Sequence, residues 1–229
     1  MITFYTAVGR YMLRRDEQGH QYPVVITHGN ESILGIQEMI IWSCLLWKVS
    51  TYEELKAEYL TNAKTAHISG EDAFDSYLNR LLIRELIVSG KDYVGIDAIY
   101  NLLSRLYVIP LADSLLVKTA AFLHLMLQGT PLRIAKTIFR RPKLSQHESQ
   151  VLAMARQQMM STAELIQCIQ LGVTDVDTDD KLLAALYSDE TTSSDNIHII
   201  SRFSQAQQPV LQAVANLYLK RQVMFEKAY

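Results

Sequence analysis

The spacing of apolar residues changes at Ile33, and this change separates two kinds of predicted secondary structure. Before it, apolar and polar positions alternate in "ITFYTAV", "RYMLRR" and "QYPVVIT", which predicts three strands. Residues 16–19 ("DEQG") predict a turn between two of them. From Ile33 onward the period becomes helical. One apolar stripe is formed by Ile33, Ile36, Ile40, Ile41, Cys44 and Leu45.

The rest of the chain has mainly helical periodicity. Further helices are predicted from Thr51, over residues 70–88, 97–141, 145–158 and 161–171, near residues 182–187 and over residues 207–226. Within 97–141, Pro110 separates two helices, and Thr130 with Pro131 opens a third that Pro142 ends. "VSGKDYVGI" predicts a turn and a short strand, "SDETTSSDN" a loop, and "IHIISRF" a strand.

Two segments of the chain repeat, each at its own offset in numbering. The first offset aligns Thr51 with Ser161, Glu54 with Glu164 and Glu38 with Glu148. Both copies carry S/T-x-x-E before an apolar helix, which is the pattern of a capping box. A second, larger offset aligns "LLIRELIV", which starts at Leu81, with "LYLKRQVM", which starts at Leu217. The repeat indicates either an internal duplication or a coincidence between two common capping patterns.

Each copy has the order helix, turn, capped helix, longer helix, and then a strand or chain end. This is the order of a winged helix-turn-helix. The predicted fold is therefore mainly α with small β hairpins (α+β), with winged-helix-like modules as a tandem pair. The predicted divisions are an N-terminal winged-helix-like domain at 1–95, a helical connecting segment at 96–142, and a C-terminal domain at 143–229.

Composition favours a cytoplasmic protein without a membrane partner. The chain is 49% hydrophobic and 20% charged, which is typical of globular domains. Cys44 and Cys168 lie in apolar helical patterns without a CxxC neighbour, which predicts two buried free thiols in a reducing compartment. No basic and apolar leader opens the sequence. The longest apolar run, residues 111–127, contains Asp113, Lys118 and His124 and predicts a core helix.

One segment is strongly basic. Residues 133–143 carry five basic side chains and no acidic one: Arg133, Lys136, Arg140, Arg141 and Lys143. The first three share one helix face and could hold phosphates of DNA or an acidic protein surface, or could simply be solvated. The first recognition-like helix instead begins with Glu71, Asp72 and Asp75, which would repel DNA and equally suit a helix N-terminus.

No motif for catalysis, metal binding or a cofactor is present. The chain has no GxxxxGK[ST], GxGxxG, HExxH or GxSxG, and its six histidines are scattered. "DVDTDD" alternates acidic residues as a calcium loop does, but Asp180 and Leu186 stand where that loop needs glycine and glutamate. We therefore expect no enzymatic activity, no metal and no cofactor.

Two segments of the first 95 residues, "ILGIQEMIIWSCLLWKVSTYEELKAEY" and "YLNRLLIRELIV", combine an apolar helix, a capped second helix and a longer third helix. In this apolar spacing the first 95 residues resemble the PqqD-like winged-helix domains, which bind leader peptides. General winged-helix transcription regulators share this spacing. The resemblance implies that a peptide adds as a strand beside the N-terminal hairpin and packs on the third helix. The implied peptide-binding residues are Tyr22 and Val24 in the strand, and Tyr77, Arg80 and Arg84 on the helix.

Two functional hypotheses follow. The first is a winged-helix regulator of transcription that contacts DNA phosphates through Arg133 to Lys143. The second is a peptide- or protein-binding adaptor with no DNA role, which the acidic third helix favours. A homo-oligomer is compatible with both, and fold alone does not decide between them.

Overall fold

The computed structural model describes residues 1–68, 73–111, 143–188 and 191–227, and it confirms a mixed α+β fold. Within those ranges the strands are β1 (Ile2–Ala7), β2 (Arg10–Arg15), β3 (Gln21–Thr27), β4 (Asn30–Ile33), β5 (Ser50–Thr51), β6 (Ile87–Asp92), β7 (Leu106–Pro110), β8 (Met160–Ser161) and β9 (Val223–Lys227). They form three antiparallel sheets, with orders β5-β1-β6, β2-β3-β4 and β8-β7-β9.

Nine α-helices lie in the same described ranges. They are α1 (Ile36–Leu45), α2 (Tyr52–Thr65), α3 (Phe74–Ile83), α4 (Gly95–Leu103), α5 (Gln146–Gln157), α6 (Thr162–Gln170), α7 (Asp179–Leu186), α8 (Ile197–Ile200) and α9 (Gln207–Leu219). A 3-10 helix, Ser201–Phe203, follows α8 directly. No helix among the described residues is long and apolar enough to cross a membrane.

The N-terminal hairpin sheet contains one more strand than the alternation predicted. The turn at residues 16–19 is confirmed, and there the amide of Asp16 donates to the carbonyl of His20 at 3.0 Å. The additional strand, β4, follows a two-residue turn in which His28 and Gly29 have φ of 50° and 76°. Two positive φ values in succession define the tight hairpin turn that matches strand twist. β3 therefore becomes the middle strand of its sheet.

Two hydrophobic cores are built on the two remaining sheets. In the first, α1, α2 and α3 enclose large side chains that are less than 2% exposed, including Trp42, Tyr59, Phe74 and Leu81. The second core lies among α5, α6, α9 and the sheet β8-β7-β9. The cysteines are buried and free, one in each core, as predicted.

The strand β7 was wrongly predicted to be helical. Residues 106–110 ("LYVIP") form the middle strand of the second sheet, with Leu106 and Val108 buried. Pro110 thus ends a strand, and the helices predicted after it, including the one that Thr130 and Pro131 open and Pro142 ends, lie outside the described residues. A short apolar run cannot be assigned to helix or strand by periodicity alone, because its partners lie far away in sequence. By its pairing β7 belongs to the C-terminal sheet, although the predicted connecting segment, residues 96–142, included it.

Two further predictions near the C-terminus were wrong. The last helix ends at Leu219, not near residue 226, because Arg221 adopts a φ of 56° and the chain then continues as β9. "IHIISRF" forms α8 and the 3-10 helix, not a strand. Its buried residues are Ile197 and Ser201, four positions apart, which is the spacing of one helix face.

The two capping boxes are confirmed by their hydrogen bonds. The amide of Thr51 donates to the carboxylate of Glu54 at 2.8 Å, and the Glu54 amide donates to the Thr51 hydroxyl at 3.4 Å. The corresponding distances between Ser161 and Glu164 are 2.7 and 3.2 Å. Each box begins at the last residue of a two-residue strand and starts the second helix of its half, where the first half is the sheet β5-β1-β6 with α1 to α3 and the second is the sheet β8-β7-β9 with α5 to α9.

The first and third sheets share strand order and register. In β1, Phe4 lies opposite Thr51 in β5 and Gly90 in β6. In β7, Tyr107 lies opposite Ser161 and Glu226 in the same way. Thr51 and Ser161 are aligned by the first predicted offset, and Gly90 and Glu226 are aligned by the second. The two offsets read from the sequence therefore match the pairing of both sheets.

A tyrosine from the second half fills the junction with the first. The ring of Tyr218 is 1% exposed and stacks on Phe225 with 4.3 Å between centroids. Its hydroxyl accepts from the Trp47 amide at 3.0 Å and from the Thr6 hydroxyl at 3.2 Å, and it lies 3.2 Å from the carbonyl of Leu45. Burial raises the pKa of this phenol, which keeps it neutral.

We expect Tyr218→Phe to destabilise the protein by about 1 to 3 kcal/mol, because the change leaves buried polar groups of β1 and of the end of α1 unsatisfied. Urea unfolding followed by circular dichroism measures this loss. Tyr52→Phe is the control, since its hydroxyl bonds the exposed Asp75, and we expect a change of about 0.5 kcal/mol or less. Equal effects of the two substitutions would contradict a structural role for the buried hydroxyl.

Helix α4 lies directly on the backbone of β6 at Gly90. A Cβ atom at Gly90 would lie 2.3 Å from the Leu102 nitrogen and 2.4 Å from the Ala98 oxygen. Both contacts are to backbone atoms, which cannot move away by changing rotamer as a flexible side chain could. The absence of a side chain at Gly90 therefore sets the distance between helix and sheet.

Gly90→Ala should cost about 1 to 3 kcal/mol or more, since overpacking forces the helix off the sheet. Gly95→Ala is the matched control: Gly95 opens α4, has no atom within 4 Å of the added Cβ, and does not have a positive φ. We expect that variant to be stabilised by about 0.4 to 1 kcal/mol. Thermal unfolding of both proteins tests the difference, and a tolerated Gly90→Ala would show that the contact is not tight.

Candidate functional site

Most of the predicted phosphate-binding residues lie outside the described part of the chain. These are Arg133, Lys136, Arg140 and Arg141, so their contact with DNA remains a prediction. Lys143 is described and exposed, and its backbone carbonyl accepts a hydrogen bond from the Lys220 ammonium at 3.1 Å. Its own charge is therefore accessible at the start of the second half.

Helices α3 and α9, each of which precedes the last strand of its half, present little positive charge. In α3, Arg80 is the one basic residue, and its guanidinium lies 3.0 Å from the carboxylate of Glu38. In α9, the sequence "QQPVLQAVANLYL" contains no lysine or arginine. Contact with DNA phosphates depends on such side chains. These two helices thus offer no basic surface of their own for reading a DNA groove.

The predicted peptide-binding residues of the third helix do lie together. Arg80 sits above the ring of Tyr77, 5.5 Å from its centroid. Arg84, at the C-terminal cap of α3, contacts Glu38 at 3.2 Å and donates to the carbonyl of Ile33 at 2.8 Å. This face of α3 therefore borders both the start of α1 and the end of β4.

The predicted strand residues lie elsewhere. Val24 is fully buried in the middle strand β3, paired with Met12 on one side and Ile33 on the other. A peptide strand cannot add beside it, so this part of the prediction was wrong. Tyr22 is half-buried and pairs with Arg14 in β2. The positions open to a further strand in this sheet are the outer edges of β2 and β4.

The outer edge of β4 faces toward α3. Residues next to a two-residue hairpin turn exchange hydrogen bonds, so Asn30 and Ser32 direct their backbone groups at β3. The backbone groups of Glu31 and Ile33 then point away from the sheet. The Ile33 carbonyl accepts a hydrogen bond from Arg84, which takes the place that a backbone donor of a neighbouring strand would occupy. The amides of Glu31 and Ile33 are directed outward beside it.

Exposed isoleucines surround this edge. Ile33, Ile36 and Ile83 are 62%, 65% and 81% exposed. Ile33 and Ile36 were predicted to belong to a buried helical stripe. The structure corrects this, because Ile33 ends a strand and Ile36 only begins α1. Ile83 directly precedes Arg84, whose guanidinium reaches the Ile33 carbonyl, so the end of α3 that carries Ile83 approaches the end of β4 through a contact that no sequence pattern contains.

A cavity of about 250 Å³ lies at the other end of the same edge. It is lined by the hairpin turn, by the C-terminal end of α3 and by β9, through Thr27, His28, Asn30, Ser32, Arg84, Glu85 and Lys227. Arg84 thus borders both the cavity and the isoleucines. We refer to the surface formed by β4, Ile36, Tyr77, Arg80, Ile83 and Arg84 as the edge-strand groove.

The buried acid beneath this groove has a counterpart in the second half. Glu38 is 2% exposed, and one of its carboxylate oxygens accepts a hydrogen bond from the Gly35 amide at 3.0 Å. The other oxygen forms an ion pair with the Arg80 guanidinium but accepts no hydrogen bond. Glu148 is equally buried, accepts from the Ser145 amide at 2.8 Å, and pairs with the Lys220 ammonium at 2.6 Å.

These two clusters align at the same offsets as the sheets. Glu148 corresponds to Glu38 at the first offset, and Lys220 corresponds to Arg84 at the second. Both cations also donate to the carbonyl that lies two residues before the helix cap, at Ile33 and at Lys143. In both halves, an ion pair therefore connects the end of the helix that precedes the last strand, α3 or α9, to the start of the first helix.

Glu148 should make the free energy of unfolding depend on pH. Burial acts to raise its pKa, but the hydrogen bonds from Lys220 and from the Ser145 amide outweigh burial and lower it. A lowered native pKa contributes stability above the unfolded value, and that contribution is lost as the pH falls through the native value. Glu148→Gln should remove about 1 to 3 kcal/mol at neutral pH and flatten the loss of stability below about pH 5.

Unfolding free energies between neutral and acidic pH test this expectation. The control is Glu53→Gln, an exposed glutamate in the first turn of α2. Its pH profile should follow that of the unmodified protein. If Glu148→Gln kept the full acid dependence, the carboxylate would not be the group responsible.

No family model matches the chain, and no curated protein or solved structure matches it. Among the described residues, no group of three or more histidine, cysteine, aspartate or glutamate side chains could hold a metal ion. The edge-strand groove is therefore the candidate site that joins accessible backbone groups, apolar side chains and charge.

Proposed function

We propose that the chain consists of two winged-helix-like units derived by duplication, and that it acts as a non-enzymatic adaptor for an extended peptide or protein segment. The duplication is supported by the shared strand order, the matching registers and the repeated buried glutamate with its cation. Such agreement between distant positions is not expected from two unrelated capping boxes.

The outward edge of β4 beside α3 is the observation that carries the adaptor function. Addition of a strand to an exposed sheet edge supplies backbone hydrogen bonds, and neighbouring side chains supply specificity. In the edge-strand groove the amides of Glu31 and Ile33 would pair with the peptide. Ile33, Ile36 and Ile83 would contact apolar side chains, and Arg80, whose side chain is 58% exposed, would favour an acidic one.

DNA binding remains the competing hypothesis. It depends on the basic segment 133–143, of which the described part contains Lys143 alone. Helices α3 and α9 support DNA binding less well than the adaptor function, because the one arginine of α3 is paired with Glu38 and α9 contains no basic side chain.

A proline substitution tests strand addition directly. Peptides selected from a random library against the whole protein would be measured by fluorescence anisotropy with Glu31→Pro and with Glu31→Ala. Proline removes the outward amide of Glu31 and is tolerated at a sheet edge. We expect Glu31→Pro to weaken binding about tenfold or more, while Glu31→Ala keeps the amide and binds as the unmodified protein does.

The comparison separates strand addition from contact with the Glu31 side chain. Equal losses in both variants would assign binding to the carboxylate, and equal affinities would place the peptide elsewhere. Ile83→Ala should weaken binding further, because its exposed side chain borders the same groove. A protein that enriches no peptide but binds duplex DNA with a steep salt dependence would instead support the competing hypothesis.

A further inference from the structure

A second cleft lies against α4 and α8. It consists of two adjoining cavities of about 340 and 470 Å³, and both are lined by Ser104, Arg105 and His198. These residues come from the link between α4 and β7 and from α8, which lies in the part of the second half that the first lacks. The cleft is separate from the edge-strand groove in nearly all of its lining residues.

An arginine and a neutral histidine define the centre of the cleft. The Arg105 guanidinium donates to Nε2 of His198 at 2.7 Å. Burial lowers the pKa of His198, and the charge of Arg105 lowers it further. The backbone and the charge of Asp195 act in the opposite direction on this pKa, but they do not outweigh burial and Arg105. His198 therefore orients the guanidinium without neutralising its charge.

Arg105 differs in this respect from the arginine beside it. Arg202 is held by two carboxylates, Asp92 at 3.0 Å and Asp97 at 3.4 Å. Among the described residues no carboxylate pairs with Arg105, which is exposed in the cleft. A guanidinium has five N–H donors, so the contact with His198 leaves several for another group. Its positive charge is thus both positioned and available.

The surroundings of Arg105 differ at the two ends of the cleft. The first cavity is lined by the hydroxyl-bearing residues Ser104, Ser161 and Ser194, together with Asp195 and Lys227, and Lys227 forms an ion pair with Glu85. The second cavity is lined by Ile199 and Phe203, which are 57% and 84% exposed. Polar side chains, including Asn101 and Arg202, also line the second cavity, so both cavities have mixed linings, and the second in addition presents the exposed side chains of Ile199 and Phe203.

Hydrogen bonds from α4 hold α8 in position. The hydroxyl of the buried Tyr100 donates to the carbonyl of His198 and bonds the Ser201 hydroxyl at 2.7 Å. Arg202 connects the following turn to the β6–α4 loop through its two aspartates. The wall that carries His198 and Phe203 is thus attached to α4 at several points, and the cleft is preformed.

We propose that this cleft binds a small organic phosphate monoester, with the phosphate on Arg105 and the organic group against Ile199 and Phe203. A guanidinium recognises a phosphate through two parallel hydrogen bonds, and the serine hydroxyls can donate to the remaining oxygens. His198 acts as a positioning residue for Arg105. The exposed aromatic ring supplies a surface on which a flat organic group can stack.

Calorimetric titration of the whole protein with phenyl phosphate, inorganic phosphate and benzoate tests the proposal. Phenyl phosphate should bind more tightly than inorganic phosphate, and Phe203→Ala should remove that difference. Arg105→Ala should weaken phenyl phosphate binding about tenfold or more, whereas Arg156→Ala, an exposed arginine of α5, should leave it unchanged. Benzoate binding as tight as phenyl phosphate would overturn the preference for phosphate.

An isosteric pair tests the role of His198. His198→Gln keeps a neutral acceptor for Arg105 and should preserve most of the affinity. His198→Glu places a carboxylate against the same guanidinium and should abolish binding. Circular dichroism of each variant establishes that it is folded. Absence of phenyl phosphate binding to the unmodified protein, or equal binding by His198→Glu and His198→Gln, would overturn the proposal.

Discussion

The hydroxyl of Tyr218 lies where the two halves of the described chain meet, and it sets how α9 contacts β1 and the end of α1. It comes from α9 in the second half, yet its partners are Thr6 in β1 and Trp47 and Leu45 at the end of α1. A buried hydroxyl with unsatisfied partners would cost more free energy than the bond itself contributes. The two halves are therefore joined by a polar contact with one geometry, and not by apolar contact alone.

The same principle operates within each half. A buried carboxylate at the start of the first helix is stabilised only where a cation meets it, and in both halves that cation comes from the end of the helix that precedes the last strand, α3 or α9. In the first half this arrangement has a second consequence. The Arg84 guanidinium donates to Glu38 and to the Ile33 carbonyl at the same time, so the edge of β4 is held beside α3. The ion pair that stabilises the helices also forms the edge-strand groove.

Local patterns in the sequence predicted the features that depend on near neighbours. The capping boxes at Thr51 and Ser161 and the turn at residues 16–19 each involve groups close together in the chain, so the residue types alone indicate them. The segment 106–110 was missed because its strand character depends on β8 and β9, which are distant in sequence. The exposure of Ile36 was missed because helical periodicity does not identify which end of a stripe reaches the core.

The sequence by itself determined the capped starts of α2, α5 and α6, the α+β class and the two offsets of the repeat, because caps and periodicity are properties of short segments. The tertiary structure alone decided which β edge is free, that Arg84 meets Ile33, and that Arg105 faces His198 across 93 positions of chain. Such contacts depend on how distant segments pack, and the free energy of packing is shared among residues that no local pattern connects.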